Sequence, residues 1–310
     1  MLLRRFTDFI LQNRLQAMGL AFVMAFIPII SGISILIAAL VTLRKGVYEG
    51  ALVAIAATLP CWIGFFAMPS ISPAEAAAMA PLGVGLITAG NFLTWMFAGI
   101  LRRYHNWSSI LELSIVLGIL SVIIAHIIYP DIQNQWATQL NSYLSKTVSA
   151  ISGDDNSSSV NEVPAQLIAS IKAYATGLFA VSVLFNALLQ LALARWWQAI
   201  IFNPGGLRVE LRQIRLNYAV GMLFVAACML AYFSNAIVLD VMPVFFALFA
   251  IAGLSLAHGL AALTKMAWLW LVFVYVGIVV AFQPSVVILA MAAFLDIWMD
   301  FRKRFRVIER

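Results

Sequence analysis

Six polar or ionisable side chains stand inside long apolar runs: Asn91, Glu112, Asn186, Gln190, His258 and Asp296. At membrane depth such groups are costly, and they serve as proton or solute sites or as hydrogen-bonding ties between helices. Glu112 follows Ser109 as S-x-x-E at a helix start, with Trp107 and Leu113 placed as a staple, so a capping box and a proton or ligand site are both open. Asp296 precedes Arg302 and Lys303 closely enough for an ion pair near a membrane boundary. His258, in Ser255-Leu-Ala-His258-Gly, has no partner visible in the sequence; a solute site and a packed neutral imidazole are its two readings. His126 reads as a wet group and Lys172 as a snorkelling one, each near a helix end. Cys61 and Cys228 read as small buried hydrophobes with no disulfide framework around them.

Other chemistries lack their residues. There is no GxxxxGK[ST] loop, no HExxH, no GxSxG and no zinc spacing, and Gly83-Val-Gly85 lacks the third glycine of a dinucleotide turn. The sequence therefore points away from an enzyme and assigns no catalytic residue, metal or cofactor. Energy coupling would come from an ion gradient or a partner.

The elements that must position these groups follow from composition. Of 310 residues, 64% are hydrophobic and 10% charged, and mean hydropathy is +0.98. Soluble domains average about 45–50% apolar and about 25% charged. This much apolar surface needs lipid as part of its solvent, so the expected fold is an all-α, polytopic transmembrane bundle. Its apolar segments are 16–43, 50–66, 76–101, 108–129, 166–194, 218–233, 241–264 and 266–298. The first and last are interrupted, at Pro28 with Ser31-Gly32 and at Gln283-Pro284-Ser285.

Charge decides how those two run. Net charge is +6, but the basic residues fall in short clusters between apolar runs, a membrane pattern rather than a nucleic-acid surface. Eight simple crossings leave Lys and Arg divided between the two sides. Folding the first and last segments into hairpins puts 17 of the 19 Lys and Arg on one side, all except Lys146 and Lys172. The positive-inside rule then predicts eight to ten hydrophobic helical segments with both termini cytoplasmic.

One membrane domain spans 1–310. Within it, 130–165 is expected outside, beginning with an amphipathic helix along Ile132, Trp136, Leu140, Leu144, Val148 and Ile151. A linker, Gly153–Ser159, follows, and Pro164 suits the first turn of the next helix. The start of the chain, with Leu2, Leu3, Phe6, Phe9 and Ile10 at helical spacing, reads as an interfacial amphipathic lead-in rather than a signal peptide.

The loop 195–217, in ARWWQAIIFNPGGLRVELRQIRLN, is expected at the cytoplasmic face. Trp196 and Trp197 read as an interfacial aromatic belt, and Asn203-Pro204-Gly205-Gly206 as a turn. Arg208, Arg212 and Arg215 recur at i, i+4, i+7 beside Leu207, Leu211 and Ile214. That spacing predicts a short helix on the inner leaflet, or a docking helix for a protein partner.

The same stretch carries a resemblance. A-R-W-W-Q, then N-P-G-G-L-R and R-L, with a short apolar helix, a break near Pro28 and Arg44-Lys45-Gly46 at the start, looks like the YybS-like family of bacterial inner-membrane proteins. That family is reminiscent of the substrate-binding membrane subunits of energy-coupling-factor transporters. The resemblance implies a transporter-like protein that binds a small solute between helices; the alternative is a scaffold recruiting a partner through 195–217. This chain has more segments than those subunits, and no binding residue is carried over from them.

Overall fold

A run of apolar residues in lipid must satisfy its backbone within itself, and a helix does so. The computed structural model describes residues 2–27, 30–67, 74–152, 165–233, 235–264 and 266–308, and these are helical with no strand among them. In chain order the helices are α1 (Leu2–Gln12), α2 (Arg14–Ala25), α3 (Ser31–Arg44), α4 (Val47–Ala67), α5 (Ala74–Tyr104), α6 (Trp107–Ile128), α7 (Ile132–Ser152) and α8 (Ala165–Lys172). They continue as α9 (Ala175–Phe202), α10 (Gly206–Leu211), α11 (Tyr218–Tyr232), α12 (Ala236–Ala261), α13 (Ala267–Val280), α14 (Phe282–Met299) and α15 (Phe301–Ile308). Pro28, Gly153–Ser159, Pro164, Lys265 and Arg310 lie outside the described residues, as do the side chains of Val148 and Ile151.

Asparagines start several helices. The side chains of Asn13, Asn217 and Asn235 accept from Leu15 N, Val220 N and Ile237 N, meeting donors that the first turn leaves orphaned. The predicted single segment 166–194 divides at Ala173-Tyr174 into α8 and α9. The last segment breaks at Ala281, and Pro284 falls in the first turn of α14, where its missing N–H costs nothing.

The chain divides into two compact units, Met1–Ile110 with Val183–Ile214, and Leu111–Ser182 with Arg215–Arg310. In the first, α3 is buried on every side from Ile37 to Leu43, and α2, α4 and α5 pack around it. A Cβ on Gly50 would overlap Thr42, so α4 meets α3 there only because the position is glycine. The amphipathic α1 joins this core through Ile10 and Thr7, both fully buried, although Leu3 and Phe9 remain exposed. Part of the apolar face of the expected lead-in helix thus packs on protein.

In the second unit α12 is the most enclosed helix and packs along α14. Phe224 lies between them, 4.8 Å from Phe249 and 5.6 Å from Phe294 between ring centroids. Gly253 allows the close approach, because a Cβ there would overlap Leu289 O.

Among the described residues six helices are long and apolar enough to cross a membrane: α4, α5 from Gly83 onward, α6, α9, α12 and α14. In their most apolar windows only 22% (α14) to 56% (α12) of the residues are buried inside the protein. Side chains such as Phe66, Ile127 and Ile288 on these helices are exposed, and water would penalise that surface. Cys228 belongs to the exposed set, correcting its expected burial; Cys61 is partly buried. Four further apolar helices, α2, α3, α11 and α13, are shorter.

Candidate functional site

Five of the six predicted polar residues are held by hydrogen-bond partners. On α5 in the first unit, Thr88, Asn91 and Thr94 follow one another at three-residue spacing. Trp62 Nε1 donates to the Thr88 hydroxyl at 3.0 Å, Asn91 Nδ2 to the Thr58 hydroxyl at 3.0 Å, and the Thr94 hydroxyl to Gln190 Oε1 at 2.8 Å. This ladder brings Asn91 and Gln190 into one strip that stitches α4 and α9 to α5. Asn186 is exposed.

The other three belong to the second unit. The Glu112 carboxylate accepts from Asn217 N and Asn217 Nδ2, both at 2.9 Å. The capping-box expectation is corrected, because Asn106 caps α6 by accepting from Ser108 N at 2.9 Å, which leaves Glu112 to hold the start of α11. His258 Nε2 lies 2.9 Å from the Tyr275 hydroxyl on α13, with the rings edge to face. Asp296 Oδ2 accepts from Arg302 Nη1 at 2.9 Å and its Oδ1 from Phe301 N at 2.9 Å, with the two side chains 3% and 15% exposed.

A further ionisable pair escaped the sequence reading. Asp240, fully buried, takes His126 Nε2 on Oδ2 at 2.9 Å and Gly177 N–H on Oδ1 at 2.8 Å. His126 is therefore not wet; its side chain is 7% exposed. A Cβ at Gly177 would overlap the Asp240 carbonyl and come 3.3 Å from Pro243 Cδ, so glycine lets the first turn of α9 lie against α12. Beside it the Thr176 hydroxyl accepts from Trp136 Nε1 at 3.1 Å, which ties α7 to the same turn. The signal for Asp240 was present: an aspartate inside an apolar run that begins after Asn235, not at Val241.

The 195–217 stretch differs from the expected helix. Trp196 is 56% exposed, as a lipid-facing ring would be, but Trp197 is 9% exposed and does not belong to a belt. It stacks on Phe6 with centroids 5.9 Å apart and donates to the Thr7 hydroxyl at 2.8 Å. Asn203 to Gly206 form the turn, closed by Gly206 N on Asn203 O at 3.0 Å, with Pro204 exposed and Gly205 at φ +85°, where glycine carries no Cβ penalty.

Helix α10 stops at Leu211, so the i, i+4, i+7 register of Arg208, Arg212 and Arg215 does not persist. Arg208 is exposed and Arg212 half-buried. Arg215 instead donates to Asp296 O at 3.2 Å, Ile297 O at 2.9 Å and Asp300 Oδ2 at 2.8 Å, satisfying carbonyls at the end of α14.

What holds α10 is Glu210, bonded by Nε and Nη2 on one edge of the Arg195 guanidinium and by Trp107 Nε1 at 3.1 Å. Burial pushes this carboxyl up, but the bonds from Arg195 and Trp107 outweigh it and hold it below the ordinary value. Asp300 likewise lies below its ordinary range: partial burial is outweighed by Lys303 and Arg215.

Among the described residues no group of three His, Cys, Asp or Glu side chains comes together to hold a metal ion. Fold and surface together define an all-helical protein whose apolar helices fit contact with a lipid bilayer. No protein-family model matches the chain, and neither a curated protein nor a solved structure matches it.

Proposed function

We propose that the protein is a transporter-like, multi-pass protein of a bacterial inner membrane that binds a small solute between its helices. On this reading the basic clusters and both termini are cytoplasmic, and 130–165 is outside. The observation that supports it most is that each unit carries a hairpin containing one or two helices shorter than a bilayer. In the first unit these are α2 and α3, of 12 and 14 residues; in the second, α13, of 14, which is followed by the longer α14. At 1.5 Å per residue the three short helices reach about 18, 21 and 21 Å, against a hydrocarbon core of about 30 Å. Short or broken helices end at membrane depth, where their unpaired backbone groups and dipoles can face a solute. The stretches ARWWQ and NPGGLR carry the same reading towards the YybS-like proteins.

The test is water access at the hairpin turns. In a chain carrying Cys61→Ala and Cys228→Ala, single cysteines at Gly32 and Gln283 should react with a hydrophilic maleimide in sealed vesicles. Protection at both positions until the membrane is dissolved would refute a solute path. A second reading, a scaffold docking a protein partner through 195–217, is favoured by the outward Arg208 and Val209 on an α10 that Glu210 anchors.

A further inference from the structure

Asp240 has lost all contact with water, and an imidazole, not a lysine or arginine, stands at hydrogen-bond distance from its Oδ2. With a neutral imidazole the pair carries one net negative charge in a low-dielectric surrounding, where an uncompensated charge is costly. One proton taken from water cancels that charge. We propose that His126 and Asp240 form a proton-binding site whose charge state holds or frees the first turn of α9. This rests on the transporter-like reading in one respect: it supplies the ion to which such a carrier couples.

The geometry gives both states. Without the proton, the imidazole Nε2–H donates to Oδ2, and the negative Oδ1 accepts the Gly177 N–H at 2.8 Å. Gly177 is the third residue of α9, so its N–H is one of the donors that a helix start leaves orphaned, and the carboxylate charge also complements the helix dipole. The arriving proton binds the free ring nitrogen, Nδ1, giving an imidazolium–carboxylate pair of zero net charge. The imidazolium now facing Oδ2 offsets the carboxylate charge and draws it towards Oδ2, and the hold of Oδ1 on Gly177 weakens.

The surrounding backbone is built to yield there. Helix α8 ends at Lys172, so nothing helical continues into the first turn of α9. On the facing side Pro243 has no N–H to give to Leu239 O, which leaves that turn of α12 one bond short. Among the other titratable groups on these elements, Asp131 Oδ1 takes Asn134 Nδ2 at 2.6 Å and Lys172 Nζ lies 3.4 Å from Asn134 Oδ1, while Tyr129 and Tyr174 are exposed. Trp136, bonded to Thr176 and with its ring centroid 5.7 Å from that of Phe179, reports on the turn.

The full chain in lipid nanodiscs, labelled with 15N-histidine and 5-fluorotryptophan, tests this with no solute present. The three histidines are told apart by His126→Gln and the Trp136 signal by Trp136→Phe. On acidification the His126 ring should pass from neutral to imidazolium, and the Trp136 fluorine signal should shift with the same midpoint. Asp240→Asn, which keeps the size and an acceptor for Gly177, should abolish the Trp136 shift, as should His126→Gln. A His126 ring that takes up no proton, or a Trp136 shift that persists undiminished in Asp240→Asn, would overturn the proposal. Should either variant not fold, the wild-type protein decides alone, because two separate midpoints also overturn it. Protected hairpin cysteines would remove the solute path and leave this titration standing; a silent His126 would remove the proton and leave the solute path standing.

Discussion

Trp196 and Trp197 are adjacent in sequence and opposite in environment, which makes a sharp comparison. Trp197→Ala removes a ring that is 9% exposed, its stack on Phe6 and its bond to Thr7. Truncating a buried aromatic costs about 3–5 kcal/mol. Trp197→Phe keeps a ring against Phe6 and loses the N–H donor. Thr7 is fully buried, but its hydroxyl still donates to Leu3 O at 2.8 Å, so no donor is stranded and the cost falls to about 1 kcal/mol. Trp196→Ala removes a ring that is 56% exposed and should cost about 0.5 kcal/mol. Unfolding in mixed micelles titrated with SDS, followed by circular dichroism, ranks the three. Limited proteolysis of α1 should rise in the same order, because α1 loses its anchor. Equal losses for Trp196→Ala and Trp197→Ala would refute the assignment of Trp197 to the core. A Trp197→Phe loss as large as that of Trp197→Ala would refute the division between stacking and hydrogen bonding.

Three further outcomes are expected. Gly253→Ala drives a Cβ into Leu289 O and should cost at least about 1–3 kcal/mol by forcing α12 from α14, whereas Gly90→Ala, with open space around it, should be neutral in the same unfolding assay. Asp296→Ala removes the carboxylate that balances the enclosed Arg302 guanidinium and should cost about 3–5 kcal/mol, with part of the loss recovered in Asp296→Ala/Arg302→Met; a single variant as stable as the wild type contradicts the pair. Glu210, held below the ordinary glutamate value of 4.5, contributes stability that is present above that value and is lost as pH falls through its lower value in the folded protein. Protease cutting in 203–213 should therefore be faster in Glu210→Gln than in the wild type at neutral pH, and the difference should close on acidification; a constant difference across pH refutes the role of the charge.

The helices and most of their limits were legible because lipid leaves the backbone few options. Pro28 and the Gln283–Ser285 stretch marked two breaks, and Asn217 and Asn235 sit where short polar side chains cap. The break at Ala173-Tyr174 had no such marker, since neither residue is a turn former. The candidate site was legible only in part. Asn91, Gln190, His258 and Asp296 do make polar ties, but Asp240 was hidden by starting its helix one turn late, and Glu210 by reading it as one more polar residue of an arginine helix.

By itself the sequence determined that the chain is helical and that its outer surface suits lipid, because composition and run length settle both without reference to any partner. Which face of each helix turns inward is another matter. A helix that is apolar all round has almost no periodicity to show its inner side, whereas α1 and α15 are strongly two-faced. Tertiary structure alone brought His126 to Asp240 across 114 residues and Trp197 to Thr7 across 190, since each contact needs a particular rotation and depth of two helices at once. Those are properties of packing, and no single segment encodes them.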